Sequence, residues 1–559
     1  MDLISVQKFF QHGMFNIPNY QRGYAWQKQQ VEEFLEDLKE ATEGVVKEHY
    51  TGTVTVIAKG NKSIFPKTFD LFDVVDGQQR LTTFTIFVYA IHNRLKSLKV
   101  DSDTLSDILK NIIYKNEPVL NLNNDTNDFY REYIINKTIS ELPDEFENKS
   151  QQNLANAKRQ ISKFLDGYKN LEEIQNFYQC LMSKFVVNFY SLSDESDVGV
   201  VFETMNNRGL PLTQIDKVKN YLIYLASRKN DDKLSQYINA NFGLIFKELM
   251  KIDASVTQEN EVLRYSYIIY KGINEPDIHS QIKNDLLEKK KYTEKGIVDY
   301  VDFLVKTANI YSKLRRAEIK NEKVRVLVRR IIWLGNPSNF LPLLISLFSR
   351  YQEEELIEVL EAMEIFSFRV YKIGNRQGKA VQNRLHRFAY AIYNNKSSKD
   401  DVLHELTYNI YANDQDFKLS LQSANFFNSQ NWDEIAYFLY EYERNLHAQR
   451  KSDFPLLTFD GFTKEASTQK FQIEHIEPQT PLNREPSSSL HKLGNLVLTF
   501  DNAKLSNKEF HDKKAIYKNS KLVIENELIV HSKWEDQQIN IRTKELVEFA
   551  MQRWKLKIK

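Results

Sequence analysis

One cysteine among 559 residues, Cys180, leaves nothing to pair with, so a disulfide scaffold is excluded. So few thiols fit a reducing compartment, and the expectation is a cytoplasmic protein. Charge of one sign is also missing: 76 Lys and Arg balance 75 Asp and Glu for a net +1. Any contact with nucleic acid must therefore come from local patches rather than a global field. No run of about eighteen apolar residues occurs, since the candidate near Ile331 to Phe348 is cut by GNPSN, so no membrane partner is expected. The start, MDLISVQKFF, lacks the basic and apolar regions of a signal peptide. There is no G-x-x-x-x-G-K-[ST] phosphate loop, which disfavours a P-loop ATPase, and no internal repeat or long low-complexity tail. What remains is 42% apolar and 27% charged, with 12% aromatics, the profile of globular protein long enough for several domains.

The stretch from Phe471 to Lys514 is the richest in chemistry. It reads FQIEHIEPQTPL, a Ser-rich loop, then HKLGNLVLTFDNAKLSNKEFHDKK. Two short apolar runs, ending at Ile473 and spanning Leu496 to Leu498, flank a loop broken by Pro478, Pro481 and Pro486. This predicts a long-looped hairpin followed by a short helix. His475, at a strand end beside Glu474, can take a proton from water near neutral pH. Glu474 and Asn502 offer hard oxygen ligands of the kind Mg²⁺ accepts while keeping several waters. Asn495, just before the second strand, can hold the imidazole through its amide. The plain alternative is a hairpin in which His475 merely caps a turn.

This arrangement resembles the HNH nucleases, whose ββα-metal motif has a catalytic His on the first strand, a central Asn, and a metal-binding His or Asn on the helix. The resemblance implies His475 as general base, Asn495 as its orienting partner, and Glu474 with Asn502 as ligands of one divalent cation, Mg²⁺ or Mn²⁺. Asn507 is the rival for the helix ligand. Glu474 stands where many HNH enzymes have Asp or His, and the paired Cys-x-x-Cys ribbon of many HNH domains is absent.

Near the start, FNIPNYQRGYAWQKQQVEEFLEDL places Val31, Phe34, Leu35 and Leu38 at helical spacing after a polar-aromatic loop. Tyr20, Arg22, Tyr24 and Trp26 in that loop either line a binding site or pack against the following helix. HYTGTVTVIAK alternates as a strand, and FDLFDVV runs through Asp76-Gly77 into a helix beginning at or just after Gln79. Such a strand-turn-helix aims backbone N–H groups at whatever sits over the turn, which suits phosphate. Gly77 permits close approach, and Arg80 either supplies a fork for phosphate oxygens or simply pairs with Asp76.

Together, IPNYQRGYAW, TGTVTVI, VVDGQQRLTT and the later VFETMNNRGLPLTQIDKVKNYL resemble the N-terminal module of the GmrSD type IV restriction family, which is similar to the ParB/sulfiredoxin superfamily. The resemblance implies binding and hydrolysis of a nucleoside triphosphate (GTP, ATP or another), with Gln21, Arg22, Asp76, Gln78, Gln79 and Arg80 near it. It also implies that Glu203, Asn206 and Arg208 complete that site. Read without the family, the later stretch is a turn at Asn206 to Gly209, an N-cap at Thr213 with Asp216, and a helix burying Ile215, Val218 and Leu222.

The rest of the middle reads as helices, with Trp432 to His447 the last long one and the segment after it a hinge. Residues 313–330 hold eight Lys or Arg against two Glu. They form either a solvated helix face or, with Arg376, Lys379, Lys513 and Lys514, a track for a phosphate backbone.

The expected architecture is α+β and multidomain: a small ParB/sulfiredoxin-like nucleotide module at 1–97 completed by 190–225, a mainly helical middle at 98–450, and an HNH domain at 451–559 embedded in helices. The expected function is a nucleotide-dependent endonuclease on double-stranded DNA, with modified phage DNA as target and antiviral defence as role. Oligomeric state, including a homo-oligomer, stays open. Two other classes stay open as well: a nucleotide-gated DNA-binding protein with an inactive or partner-dependent nuclease unit, and a ribonuclease or toxin.

Overall fold

A computed structural model describes the chain apart from residues 1, 20, 22, 45–46, 125, 193–212, 228–230, 253, 289–292, 336, 375–378, 409–412, 428–431, 451–455, 464–470, 483–484 and 557–559. The fold is α+β and mostly helical, and it divides into two units: residues 1–264 with 275–312, and residues 265–274 with 313–559. Among the described residues, no helix is long and apolar enough to cross a membrane.

The first unit is built on a mixed six-stranded sheet. In chain order its strands are β1 (Asp2–Ser5), β2 (Met14–Asn16), β3 (His49–Ile64), β4 (Lys67–Asp76), β5 (Leu120–Asn121) and β6 (Phe185–Leu192). In space they run β1, β6, β3, β4, β2, β5. The β3–β4 pair is antiparallel, whereas β6 lies parallel to β3 with Val54 opposite Phe189. Helices α1 (Lys28–Thr42) and α2 (Gln78–Ser97) follow the predicted spacing, and α3 (Lys149–Asp166) and α4 (Leu171–Ser183) complete the unit's helical layer. Val31, Phe34, Leu35 and Leu38 of α1 all face the core. That core runs without a break from Val6 to Val187, so the first module extends well past the boundary expected at 97. The reason is β6: it pairs with both β1 and β3, and without it β1 has no neighbour in the sheet.

In the second unit, the long helix α6 (Trp432–Arg450) is buried from Ile435 through Tyr440, the mark of a helix surrounded by others. Earlier in the chain, α5 (Glu322–Trp333) supplies Arg330 to the interior. The hairpin strands β7 (Gln472–His475) and β8 (Leu496–Thr499) pair antiparallel, with His475 opposite Leu496. After them come α7 (Asn502–Leu505), α8 (Phe510–Lys518), α9 (Val523–Asn526) and α10 (Asp536–Arg553). One core joins Leu334, Phe368 and Tyr437 to Leu496, Leu498 and Trp554, so the hairpin shares its interior with helices that precede residue 451. The expected hinge is anchored in its described part, because Phe459 and Phe462 bury against Trp333 and Tyr440.

Candidate active site

In the first unit, the β4–α2 turn is made by Gly77 at φ 97°, a conformation costly for a side-chain-bearing residue, and α2 starts at Gln78, one residue before the predicted position. The aromatic loop meets this turn. Gln79 accepts from the Ala25 N–H at 2.7 Å and donates to the Gly23 carbonyl at 3.1 Å, while the Gln21 amide donates to the Val75 carbonyl at 2.6 Å. Two sequence stretches some 55 residues apart are thus stitched together, and Tyr24 is buried with its hydroxyl 2.8 Å from Thr83. Tyr24 and Trp26 pack on the core rather than lining a site.

Arg80 is held by the scaffold. Its guanidinium donates to the carbonyls of Thr51 at 2.6 Å and Thr53 at 2.8 Å, and lies 3.4 Å from the Asp76 carboxylate. Gly52 makes room for this, since a Cβ there would stand 2.0 Å from the guanidinium. The plain reading of Arg80 as the partner of Asp76 is the arrangement found, and the fork points at strand carbonyls. Gln78 is different: it is buried, yet its side chain makes no hydrogen bond among the described residues. Arg22, Glu203, Asn206 and Arg208 lie outside the described residues. The helix after them is capped by Thr213 and Asp216 and buries Ile215, Val218 and Leu222.

In the second unit, the hairpin delivers Glu474 and His475 to the end of β7, and α7 packs against that strand. His475 is 3% exposed. Burial, then the neighbouring His491 and Lys513, push its imidazole down to about 4, so it is neutral at pH 7. Both ring nitrogens have neighbours: Nδ1 lies 3.1 Å from the Gln479 amide nitrogen and Nε2 lies 3.3 Å from His491 Nδ1. With the amide N–H directed at it, Nδ1 is the acceptor, which puts the ring proton on Nε2. Phe427 closes the ring edge-on at 4.7 Å.

Asn495 does not reach this ring. Its amide nitrogen donates to the carbonyls of Leu490 at 2.9 Å and Glu477 at 3.3 Å, and its oxygen accepts from the Glu477 N–H at 2.8 Å and Trp534 at 3.1 Å. All four bonds an amide can make are used, so Asn495 ties the loop between the strands and orients His475 only through the backbone. Gln479 and His491 take the place expected of it.

Glu474 faces a buried cation of the protein's own. Lys513 Nζ donates to Glu474 Oε1 at 2.6 Å and to the His475 carbonyl at 2.6 Å. Burial raises the Glu474 carboxyl and lowers the Lys513 ammonium, each partly offset by the partner. Lys513 is fully buried, so it does not track DNA from the surface, and Lys514 donates to the His531 carbonyl. Asn502 opens α7, and its Oδ1 is buried without a hydrogen-bond partner. Asn507 is exposed in the turn after α7.

Residues 313–330 are mostly neutralised. Arg316 pairs with Glu318, Arg325 with Glu322, Arg329 with Asp460, Lys323 with Glu361 at 2.7 Å and Arg330 with Glu441 at 2.7 Å. Arg376 lies outside the described residues, and the side chain of Lys379 is not described either.

Sequence reasoning gave no role to Gln479 or His491 and misplaced Lys513. His491, in the sequence HKLGN, is a second imidazole in the same loop, and Phe510, Lys513 and Tyr517 sit at helical spacing on one buried face of α8.

Family comparisons bear on both units. The model of the GmrSD restriction endonuclease N-terminal domain matches residues 5–223, and that of the GmrSD restriction endonuclease C-terminal domain matches residues 411–549. A search of curated proteins found no match. With the two domain models matching in order, one over the sheet and its helices and the other over the hairpin that carries Glu474 and His475, the chain belongs to the GmrSD restriction endonuclease family, whose substrate is DNA.

Proposed function

We propose that this chain is a nucleotide-dependent DNA endonuclease of the type IV kind, cutting modified phage DNA at a single-metal HNH site. The observation that carries the nuclease reading is the Asn502 oxygen, buried and unpartnered on the helix packed against the strand of Glu474 and His475. A native protein rarely leaves such an atom unpaired unless something else binds it.

The donor set fits a hard cation. Glu474 Oε2 makes no hydrogen bond among the described residues, and the Asn502 side-chain oxygen Oδ1 is likewise available. Among the described residues, no three His, Cys, Asp or Glu side chains converge, so water would fill most of the shell, as Mg²⁺ prefers and Mn²⁺ tolerates. When bound, the ion stabilises charge on the phosphate and the departing oxygen. His475, neutral at pH 7, accepts a proton from the attacking water at Nδ1, and for that the Gln479 contact must open. Lys513 holds both the Glu474 carboxylate and the His475 carbonyl, fixing the distance between ligand and base.

For nucleotide binding, the support is the family match and the meeting of the aromatic loop with the β4–α2 turn. Gln78, whose side chain is not spent on the scaffold, is the turn residue best placed to touch a ligand.

The test is cleavage of unmodified and modified phage DNA by wild type and His475→Ala, with Mg²⁺ or Mn²⁺, each with and without a nucleotide panel. We expect cleavage of modified DNA, altered by one nucleotide and absent in the variant. Equal cutting by the variant would sink the assignment of His475. RNA cut in preference to DNA at equal ionic strength would replace restriction by a ribonuclease.

A further inference from the structure

The second unit contains a cavity of about 940 Å³ that lies among residues without a role in the reaction above. Its floor is a network of charges. Glu364 and Glu441 are 1% and 5% exposed, and three guanidiniums, those of Arg330, Arg444 and Arg553, stand around them. Arg553 is within 3.1 Å of Glu364 and 2.7 Å of Glu441. Tyr437 and Trp554 also donate to Glu364, at 2.6 and 3.1 Å. Arg330 lies 2.7 Å from Glu441 and Arg444 lies 3.6 Å from it.

Two carboxylates against three guanidiniums leave one positive charge over. At the rim, Lys323 is paired with Glu361 and Glu322 with Arg325, while Lys555 adds a further exposed cation. The excess is chemically specific as well. Arg330 is 6% exposed, yet its Nε and one terminal nitrogen have no aligned hydrogen-bond partner, and the Arg444 Nε is also buried and unpartnered. Orphaned guanidinium N–H groups inside a pocket are costly unless an anion completes them.

We infer that this pocket binds a small phosphate-bearing molecule, its phosphate received by Arg330 and Arg444 and its body lying against Leu327, Ile365 and Phe549. The volume is that of a small-molecule site rather than a single ion. Planar forks on two different helices suit a tetrahedral oxyanion, which presents acceptors in several directions, better than a flat carboxylate. The site is separate from the residues proposed for cleavage and for nucleotide hydrolysis.

The experiment titrates the full chain with inorganic phosphate, pyrophosphate, ribose 5-phosphate and AMP, with citrate as the carboxylate arm, by calorimetry and thermal shift. At least one phosphate probe should bind saturably and raise the melting temperature. Arg444→Gln should weaken it by about tenfold or more. That side chain is 35% exposed, so its loss need not unfold the unit. Arg330→Lys, which keeps the charge facing Glu441 but removes the fork, should weaken binding similarly with the melting temperature of the free protein near wild type. Gln78→Ala should leave this binding unchanged, which separates it from the nucleotide reading. The inference is overturned if no phosphate probe saturates, if citrate binds as tightly, or if binding survives Arg444→Gln but not Gln78→Ala. Displacement of the probe by a DNA duplex at matching affinity would assign the pocket to a nucleic-acid backbone and equally overturn it.

Discussion

Arg80 and Asn502 occupy similar places in the two units, each in the first turn of a helix that follows a strand, yet their polar atoms have opposite fates. Among the described residues, the Arg80 guanidinium donates to two β3 carbonyls and to Asp76, whereas the Asn502 side-chain oxygen is buried with nothing bonded to it. A group that satisfies the scaffold stabilises it and is not free to bind. A group left unsatisfied destabilises it and is retained when it binds something else. Each lies within a matched domain of the family, Arg80 in the N-terminal and Asn502 in the C-terminal one, and the difference lies in the local geometry.

The sharpest break of this comparison is Asn502→Ala. Removing a buried oxygen that has no partner should leave the melting temperature unchanged or raised. Cleavage should fall about a hundredfold, the cost typical of losing metal support. Single-turnover cleavage and thermal melts on the same preparation check both halves. A fall in stability with activity intact would mean that the oxygen supports the fold.

Arg80→Ala should do the reverse. The Thr51 and Thr53 carbonyls lose their donors, and about 2–3 kcal/mol of stability should go, read from denaturant midpoints. Nucleotide hydrolysis would then drop only as the folded fraction drops. Loss of hydrolysis with full stability would show that the guanidinium leaves the strand to meet a ligand.

Gln78→Ala is the milder companion to that variant. Its side chain holds nothing together among the described residues, so the fold should be unaffected while the KM for nucleotide rises about tenfold. An unchanged KM would move the nucleotide contact elsewhere in the module.

How far the sequence could lead follows the same division. Periodicity and turn chemistry located α1, the β4–α2 turn and both hairpin strands within a residue or two, because those signals are local. β6 was missed: its partners β1 and β3 are more than 120 residues away in the chain, and an apolar run alone cannot name them. The fate of each polar atom was equally hidden. Asp76 and Arg80 at i and i+4 hinted at their pairing, but nothing in DGQQR told that Thr51 and Thr53 would supply the remaining acceptors. The burial of Lys513, read as a surface cation, could have been inferred from Phe510 and Tyr517 on its face, but its partner Glu474 could not, since a charge at a buried helix position says only that a counter-charge exists.

The smallest effect we predict tests whether the hairpin's surroundings also carry groups set against the fold. Glu525 in α9 is 1% exposed, and burial pushes its carboxyl up to about 7, with Ser520 and Thr499 as hydrogen-bond partners working against the shift. Its folded value lies above the ordinary 4.5, so the folded state keeps a proton that the unfolded chain releases between pH 4.5 and 7. The stabilisation is therefore complete below 4.5 and is lost as pH rises through 7. Glutamine has the same shape and no proton to lose. Melting curves of wild type and Glu525→Gln should nearly coincide at low pH, where the wild-type carboxyl is neutral, and wild type should fall below the variant by a few degrees as pH rises to 8. Parallel curves across that range would mean that the carboxylate is accommodated in its charged form, and that Glu525, unlike Asn502, is not kept at the expense of the fold.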